Sequence, residues 1–167
     1  MNNDNYLSSF FTSQYGQLLP SINQIKLLAK LITKLSPSKL MYHLYSNQSY
    51  IDFILIENGI EQIICIEPDA DFVRSGLLSR KNLRTLNKEL VTIYNHNPLS
   101  NEFNYSDANI ILISFPDNLS DILSKINKEC QINTLLIIES YSKPLIELKE
   151  LHHLKITDLI NIYIYKI

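Results

Sequence analysis

Apolar and polar positions follow two rhythms along this chain, and the rhythms alternate. Ile25, Leu28, Ala29, Ile32 and Leu35 recur at helical spacing and give residues 19–35 one apolar face, with Pro37 as the stop. The pattern then predicts a strand over 40–45, a helix over 50–58, a strand over 62–67 and a helix from 69–71 into 86, with Gly76 as a candidate break. A strand over 90–94 follows. A polar connection over 95–107, with room for a short helix, leads to a strand over 109–114. The helix over 118–130 lines up Leu119, Ile122, Leu123 and Ile126. A strand over 134–140, a helix over 144–152 and a last strand over 159–165 complete the pattern. Ser49 followed by Asp52 reads as a capping box for the second helix, and Gly59 as its stop.

Strands alternating with helices imply βαβ units and a parallel sheet. The continuous apolar runs 110–113 and 135–138 suit strands buried on both faces. Right-handed crossovers make the sheet doubly wound, with ligands at the carboxyl ends of its strands. The fold class is α/β. Residues 19–167 form one domain, and 1–18 form a lead segment with aromatic anchors at Tyr6, Phe10, Phe11 and Tyr15. That lead reads equally as a lid over the crevice, a patch on the sheet or a dimer contact.

Composition narrows the function. The chain has 167 residues, 46% of them hydrophobic, enough for one sizeable core. A formal charge of −2 gives no global attraction to nucleic acid or anionic membrane. No apolar stretch suits a membrane span, and Met1-Asn2-Asn3-Asp4-Asn5 lacks the basic and apolar regions of a secretory signal. Cys65 and Cys130 read as reduced thiols, which fits a cytoplasmic protein.

Four places carry candidate chemistry. Ile63-Ile64-Cys65-Ile66-Glu67-Pro68-Asp69 is an apolar run that ends on an acid. A carboxylate at such a strand tip can accept two ribose hydroxyls, or it can simply end the strand and cap a helix. Asn95, His96, Asn97 and Pro98 offer amides for an adenine edge and a base in His96; an ordinary turn has the same composition. Ser114-Phe115-Pro116-Asp117 follows the fourth strand and can position an acceptor, or be only a strand end and a helix cap. The three arginines, Arg74, Arg80 and Arg84, fall in one stretch with Lys81 and Lys88. On a helix, Arg80, Arg84 and Lys88 stack at i, i+4 spacing, a row that can hold phosphate or a partner's carboxylates or simply face solvent. His43 reads as a hydrogen-bonded residue inside the first strand. His152-His153 lacks metal-ligand spacing, so no metal site is expected. No local motif assembles a Ser-His-Asp set, and there is no Walker loop or G-x-G-x-x-G.

The order of elements over 19–167 resembles the class I S-adenosylmethionine-dependent methyltransferases. A leading helix precedes the first strand. The 63–69 run resembles the family's second strand with its ribose-binding acid. Ser106-Asp107-Ala108-Asn109-Ile110-Ile111-Leu112-Ile113-Ser114 resembles its fourth strand, and the helix and strand that follow resemble its later elements. The resemblance implies a Rossmann-like, methyltransferase-type sheet of order 3-2-1-4-5 with the final strand at the edge. It implies that Glu67, with Pro68 beside it, binds the ribose, that Asn95 and His96 lie near the base, and that Ser114 flanks the methyl-transfer site. Tyr45, Ser46 and Asn47 would hold the methionine end. The chain departs from the family there, because Tyr45-Ser46-Asn47-Gln48-Ser49 contains no glycine where the family has a glycine-rich loop. Two readings stay open: a methyltransferase acting on a small molecule with S-adenosylmethionine or a related nucleoside, and an inactive pseudo-methyltransferase serving as a protein-binding subunit. In the second, Arg74, Arg80, Arg84 and Lys88 are contact residues. A nucleotide-free α/β domain such as a flavodoxin-like one fits the periodicity but explains Glu67 less well.

Overall fold

The computed structural model describes residues 20–47, 49–84 and 86–167; the lead segment lies outside them. Helix α1 spans Ile22–Leu35. Ser21 starts it with a capping box: the Gln24 amide N–H reaches Ser21 Oγ, and the Gln24 side chain accepts from Ser21 N. Then come β1 (Leu40–Leu44), α2 (Tyr50–Glu57), β2 (Gln62–Glu67), α3 (Ala70–Asn82) and β3 (Val91–Asn95). Strand β4 (Ile110–Ser114), α4 (Leu119–Glu129), β5 (Leu135–Ser140), β6 (Glu150–Lys155) and β7 (Asn161–Lys166) complete the domain.

The seven strands form one sheet in the order β3-β2-β1-β4-β5-β7-β6. β1 to β5 run parallel; β7 pairs antiparallel with both β5 and β6. Alternate residues of each inner strand enter separate cores, as the two-residue period of a strand demands. Met41, Ile110, Leu112, Leu135 and Ile137 join α1, α2 and α3 on one face. Leu44, Ile111, Ile113, Leu136 and Ile138 join α4 and the 96–109 connection on the other, with Tyr105 fully buried among them. Helix α2 is buried from Tyr50 through Ile56, which makes Asp52 a buried charge that needs a partner.

The predicted parallel core 3-2-1-4-5 is present, and several finer expectations are corrected. The segment 144–152 is not helical. Only its last three residues, 150–152, belong to regular structure, and they begin β6, an edge strand that offers backbone groups to β7, while Leu145 stands fully exposed. The last strand is therefore not the sheet edge; β6 is. Ser49 and Asp52 make no capping box, because Ser49 is left-handed (φ 57°), makes no side-chain cap bond, and Asp52 points into the protein toward His43. Helix α3 runs unbroken through Gly76 and stops at Asn82, where Leu83 turns into the core. The 96–109 connection contains turns but no helix among its described residues.

That stop dissolves the expected basic row. Arg80 pairs with Glu89 of a short 3-10 turn over Leu86–Leu90, and Lys88 folds back to donate to the carbonyls of Lys81 and Leu83. Arg74 pairs with Asp71, and Arg84 stands exposed beyond the helix.

Among the described residues no helix is long and apolar enough to cross a membrane. Gly59 closes α2 at φ 104°, a conformation that only glycine takes freely.

Candidate functional site

The loop after β1 turns sharply, and it does so without glycine. Tyr45 (φ 57°), Asn47 (φ 50°) and Ser49 (φ 57°) all lie in the left-handed region, every second residue. Each such residue costs about 1 kcal/mol in an L-chain, less for Asn. The loop is held by hydrogen bonds that offset this cost. Tyr45 N donates to the Ile66 carbonyl (2.9 Å), the Asn47 side chain donates to the Tyr45 carbonyl (3.0 Å), and Asn47 N donates to Glu67 Oε2 (2.8 Å).

Glu67 is therefore a buried clasp between loops. Its other oxygen, Oε1, accepts from Asp69 N at 2.9 Å. Burial pushes its pKa up, against the pull of the Asp69 and Asn47 amides and of His43. Asn95 braces the same corner by donating to the carbonyls of Glu67 and Pro68. His96 pairs with Glu102 and packs edge-on to Phe103. Glu67, Pro68, Asn95 and His96 thus form one corner at the tips of β2 and β3.

A cavity of about 590 Å³ opens next to that corner, over the carboxyl ends of β1, β4 and β5. Ser46, Asn47 and Ser114 line it, so three of the residues singled out from the sequence meet there. Tyr45, Glu67, Pro68, Asn95 and His96 are not in its lining. Its floor holds a buried line of polar groups, and its walls hold the aromatic rings of Tyr50, Phe72, Phe115 and Tyr141.

The floor is a set that no local motif displays. His43 Nδ1 lies 2.7 Å from Asp52 Oδ1, and His43 Nε2 lies 2.8 Å from Ser114 Oγ. Ser114 Oγ donates to Glu139 Oε2 at 2.6 Å, and the Cys65 thiol donates to Asp52 Oδ2 at 3.2 Å. All five residues are buried. Burial lowers the His43 pKa, but Asp52, then Glu139 and Glu67, more than restore it, so the net shift is upward. Burial raises Glu139, against Ser114 and His43. Burial and the Asp52 charge drive the Cys65 thiol well up, with the Ser49 and Ser46 hydroxyls acting the other way.

Two proton arrangements satisfy this line. In one, His43 is an imidazolium and Ser114 donates to an ionised Glu139. In the other, a protonated Glu139 donates to Ser114 Oγ, whose own hydrogen points at His43 Nε2. One proton moving through the Ser114 hydroxyl converts one into the other. Asp52, His43 and Ser114 have the connectivity of a nucleophilic triad. Ser114 Oγ is shared with Glu139 as well as with His43, however, and the Phe115 N–H that would face an oxyanion donates instead to the Glu139 carbonyl at 2.9 Å. The line is built to hold protons and charge.

His43, Asp52 and Cys65 also place ligand atoms within 4.8 Å of one another, and the Asp52 carboxylate engages both the His43 Nδ1 and the Cys65 thiol. One signal for the floor was available in the sequence: the apolar runs of β4 and β5 end on Ser114 and Glu139, which are register partners.

No family model matches the chain, and no curated protein sequence matches it. Solved structures do. A Staphylococcus aureus protein provisionally assigned as a caffeoyl-CoA O-methyltransferase superposes with a TM-score of 0.72 at 14% identity, over 99% of this chain and 93% of that one. An RNA methyltransferase from Salinibacter ruber, in complex with S-adenosyl-L-homocysteine, gives 0.66 at 13% identity, over 85% and 91%. A SAM-dependent methyltransferase from Aquifex aeolicus gives 0.63 at 9% identity, over 87% and 98%. At these identities the likeness is one of fold: the chain has the class I methyltransferase fold.

Proposed function

We propose that this protein binds S-adenosylmethionine or a related nucleoside at the carboxyl ends of its parallel strands and methylates a small molecule. The observation that carries this reading is the β1–α2 loop. Its alternate residues Tyr45, Asn47 and Ser49 keep the left-handed backbone that glycines supply in cofactor-binding loops, beside a cavity of about 590 Å³. A sequence without glycine has no cheap reason to adopt that path three times.

The residues fit such a ligand unevenly. Ser46 and Asn47 reach the cavity and suit the amino-acid end. Glu67 can take ribose hydroxyls through the lone pairs left by its two backbone bonds, and Asn95 and His96 flank the base side. The cofactor, when bound, supplies an activated methyl group; the chain supplies orientation, which is a large share of the rate in a displacement of this kind. Ser114, at the cavity floor, faces the acceptor.

One observation favours the second reading, a pseudo-methyltransferase acting as a protein-binding subunit. Glu67 is only 3% exposed, and each of its oxygens already accepts a backbone amide, so the loop closes on the acid that should hold the ribose. In this reading a partner would touch the exposed Arg84, and Arg74, Arg80 and Lys88 would leave their present contacts to join it.

Calorimetric titration with S-adenosylmethionine and S-adenosylhomocysteine, on wild type and Glu67→Ala, tests both. Micromolar binding that weakens in the variant supports the cofactor site. No heat and no thermal shift with either ligand removes the methyltransferase reading and leaves the subunit reading.

A further inference from the structure

The cavity floor is short of positive charge. Asp52, Glu67 and Glu139 are all buried and all act electrostatically on one basic group, His43. Among the described residues no lysine or arginine lines the cavity. Asp158, the other acid in the lining, lies at the exposed rim and is already paired with Lys155 at 2.9 Å. A buried carboxylate without a counter-charge is costly, so the site must either keep a proton on this line or take a cation from outside.

The walls indicate which kind of cation. Phe115 and Tyr141 pack with ring centroids 4.6 Å apart, tilted by 33°, and Tyr50 and Phe72 complete the aromatic lining. Aromatic faces attract cations, organic ammonium groups among them, and their area suits a flat apolar body. Phe115 is itself held at φ 48°, a left-handed position that a bulky residue takes only where its surroundings force it. Its amide is pinned to the Glu139 carbonyl, so the ring and the carboxylate belong to one rigid corner. Ser114 occupies Glu139 Oε2, which leaves Oε1 for a ligand donor.

We infer that this cavity recognises an organic amine as its small-molecule substrate, the ammonium group on Glu139 and the carbon body between Phe115, Tyr141, Tyr50 and Phe72. The inference rests on the reading of this cavity as the acceptor end of a methyltransferase-type site, and it names the substrate class for it. An ammonium cannot act as a nucleophile until it loses a proton. Glu139 is placed to accept that proton. Once the ammonium is bound as the cation and the line's own proton has left to solvent, Glu139 is ionised and His43 neutral; passing the ammonium's proton on through Ser114 to His43 Nε2, the Ser114 hydroxyl taking one proton and releasing another, restores the carboxylate and leaves an imidazolium on Asp52. No atom is gained or lost in the transfer.

Three probes of one shape test this: phenethylamine, phenethyl alcohol and phenylacetate, titrated against the full chain by calorimetry and ligand-observed NMR. The amine is expected to bind about tenfold more tightly than the alcohol, and the carboxylate not at all. Glu139→Gln should bring the amine down to the level of the alcohol. Tyr141→Ala, at a residue 68% exposed and so safe for folding, should weaken the amine more than the alcohol even if the Glu139 variant fails to fold. Equal binding of amine and alcohol, or preferred binding of phenylacetate, overturns the inference. Titration with S-adenosylhomocysteine runs in parallel. Cofactor binding without amine preference sinks this inference alone, whereas amine binding without cofactor binding sinks the methyltransferase reading and keeps the amine site.

Discussion

Asp52 and His43 meet at 2.7 Å with both side chains out of contact with water, one from the buried stretch of α2 and the other from β1. When His43 carries the line's proton each is the other's counter-charge, and the hydrogen-bonded pair ties α2 to the sheet under the cavity. Asp52→Ala leaves His43 and the Cys65 thiol facing an unfilled acceptor position. Loss of one partner from a buried pair costs about 3–5 kcal/mol. Urea unfolding should show a fall in midpoint of that size with an unchanged slope; a change below about 1 kcal/mol would mean the pair is not charged in the native state.

The pH dependence follows from three groups shifted in the same direction. Glu67, Glu139 and His43 all have folded pKa values above their ordinary ones. The folded state therefore holds protons that the unfolded chain releases earlier, and stability falls as pH rises through the folded values. The two acids' contribution is complete below pH 4.5 and is lost above it; the histidine's is complete below pH 6.5 and is lost as pH passes its raised value. Unfolding free energies measured across this range should decline, and Glu139→Gln should flatten the acid-side part of the decline. A rising profile would contradict the assignment.

Asn47 separates backbone strain from side-chain contact. Asn47→Gly keeps the amide that donates to Glu67 and removes the left-handed penalty, while losing the side-chain bond to Tyr45. The two effects should nearly cancel, within about 0.5 kcal/mol. Asn47→Val keeps the strain at full cost and loses the bond, so it should destabilise by about 2 kcal/mol. Thermal melts of the pair decide it; equal melts would mean the loop is free to change its path.

Gly59→Ala tests the close of α2. A Cβ there would meet only Thr33 Cγ2, at 3.6 Å, an ordinary contact. The cost comes from φ 104° alone and should be about 1–2 kcal/mol, read by equilibrium unfolding. A larger loss would point to packing that the geometry does not contain.

What the sequence shows and what it hides divide by the range of the interactions. The parallel core is legible because 110–113 and 135–138 carry their own signal: continuous apolar runs belong to strands covered on both sides. Strand β6 is not legible. Leu145, Leu148 and Leu151 mimic a helix, and only the presence of β7, which needs a partner for its outer edge, makes 150–155 extended. The basic row fails for a similar reason, since Leu83 turns into the core and ends α3 before Arg84 can join it. The floor of the cavity is the extreme case. His43 and Ser114 are 71 positions apart and Ser114 and Glu139 are 25 apart, and only strand order and register bring them together.

The position of β7 has a consequence for the nascent chain. It is made after β6, yet it is inserted between β5 and β6, and it covers the edge of β5. Until 161–166 leave the ribosome, the apolar strand Leu135–Ser140 presents an unpaired edge, the feature through which partly folded sheets associate with one another. Translation therefore passes through a stage at which nearly all the core has been made and the most adhesive strand is still open. Slow synthesis over the codons for 161–166 would favour aggregation, and a chaperone would serve best by holding the Leu135–Ser140 edge until those residues emerge.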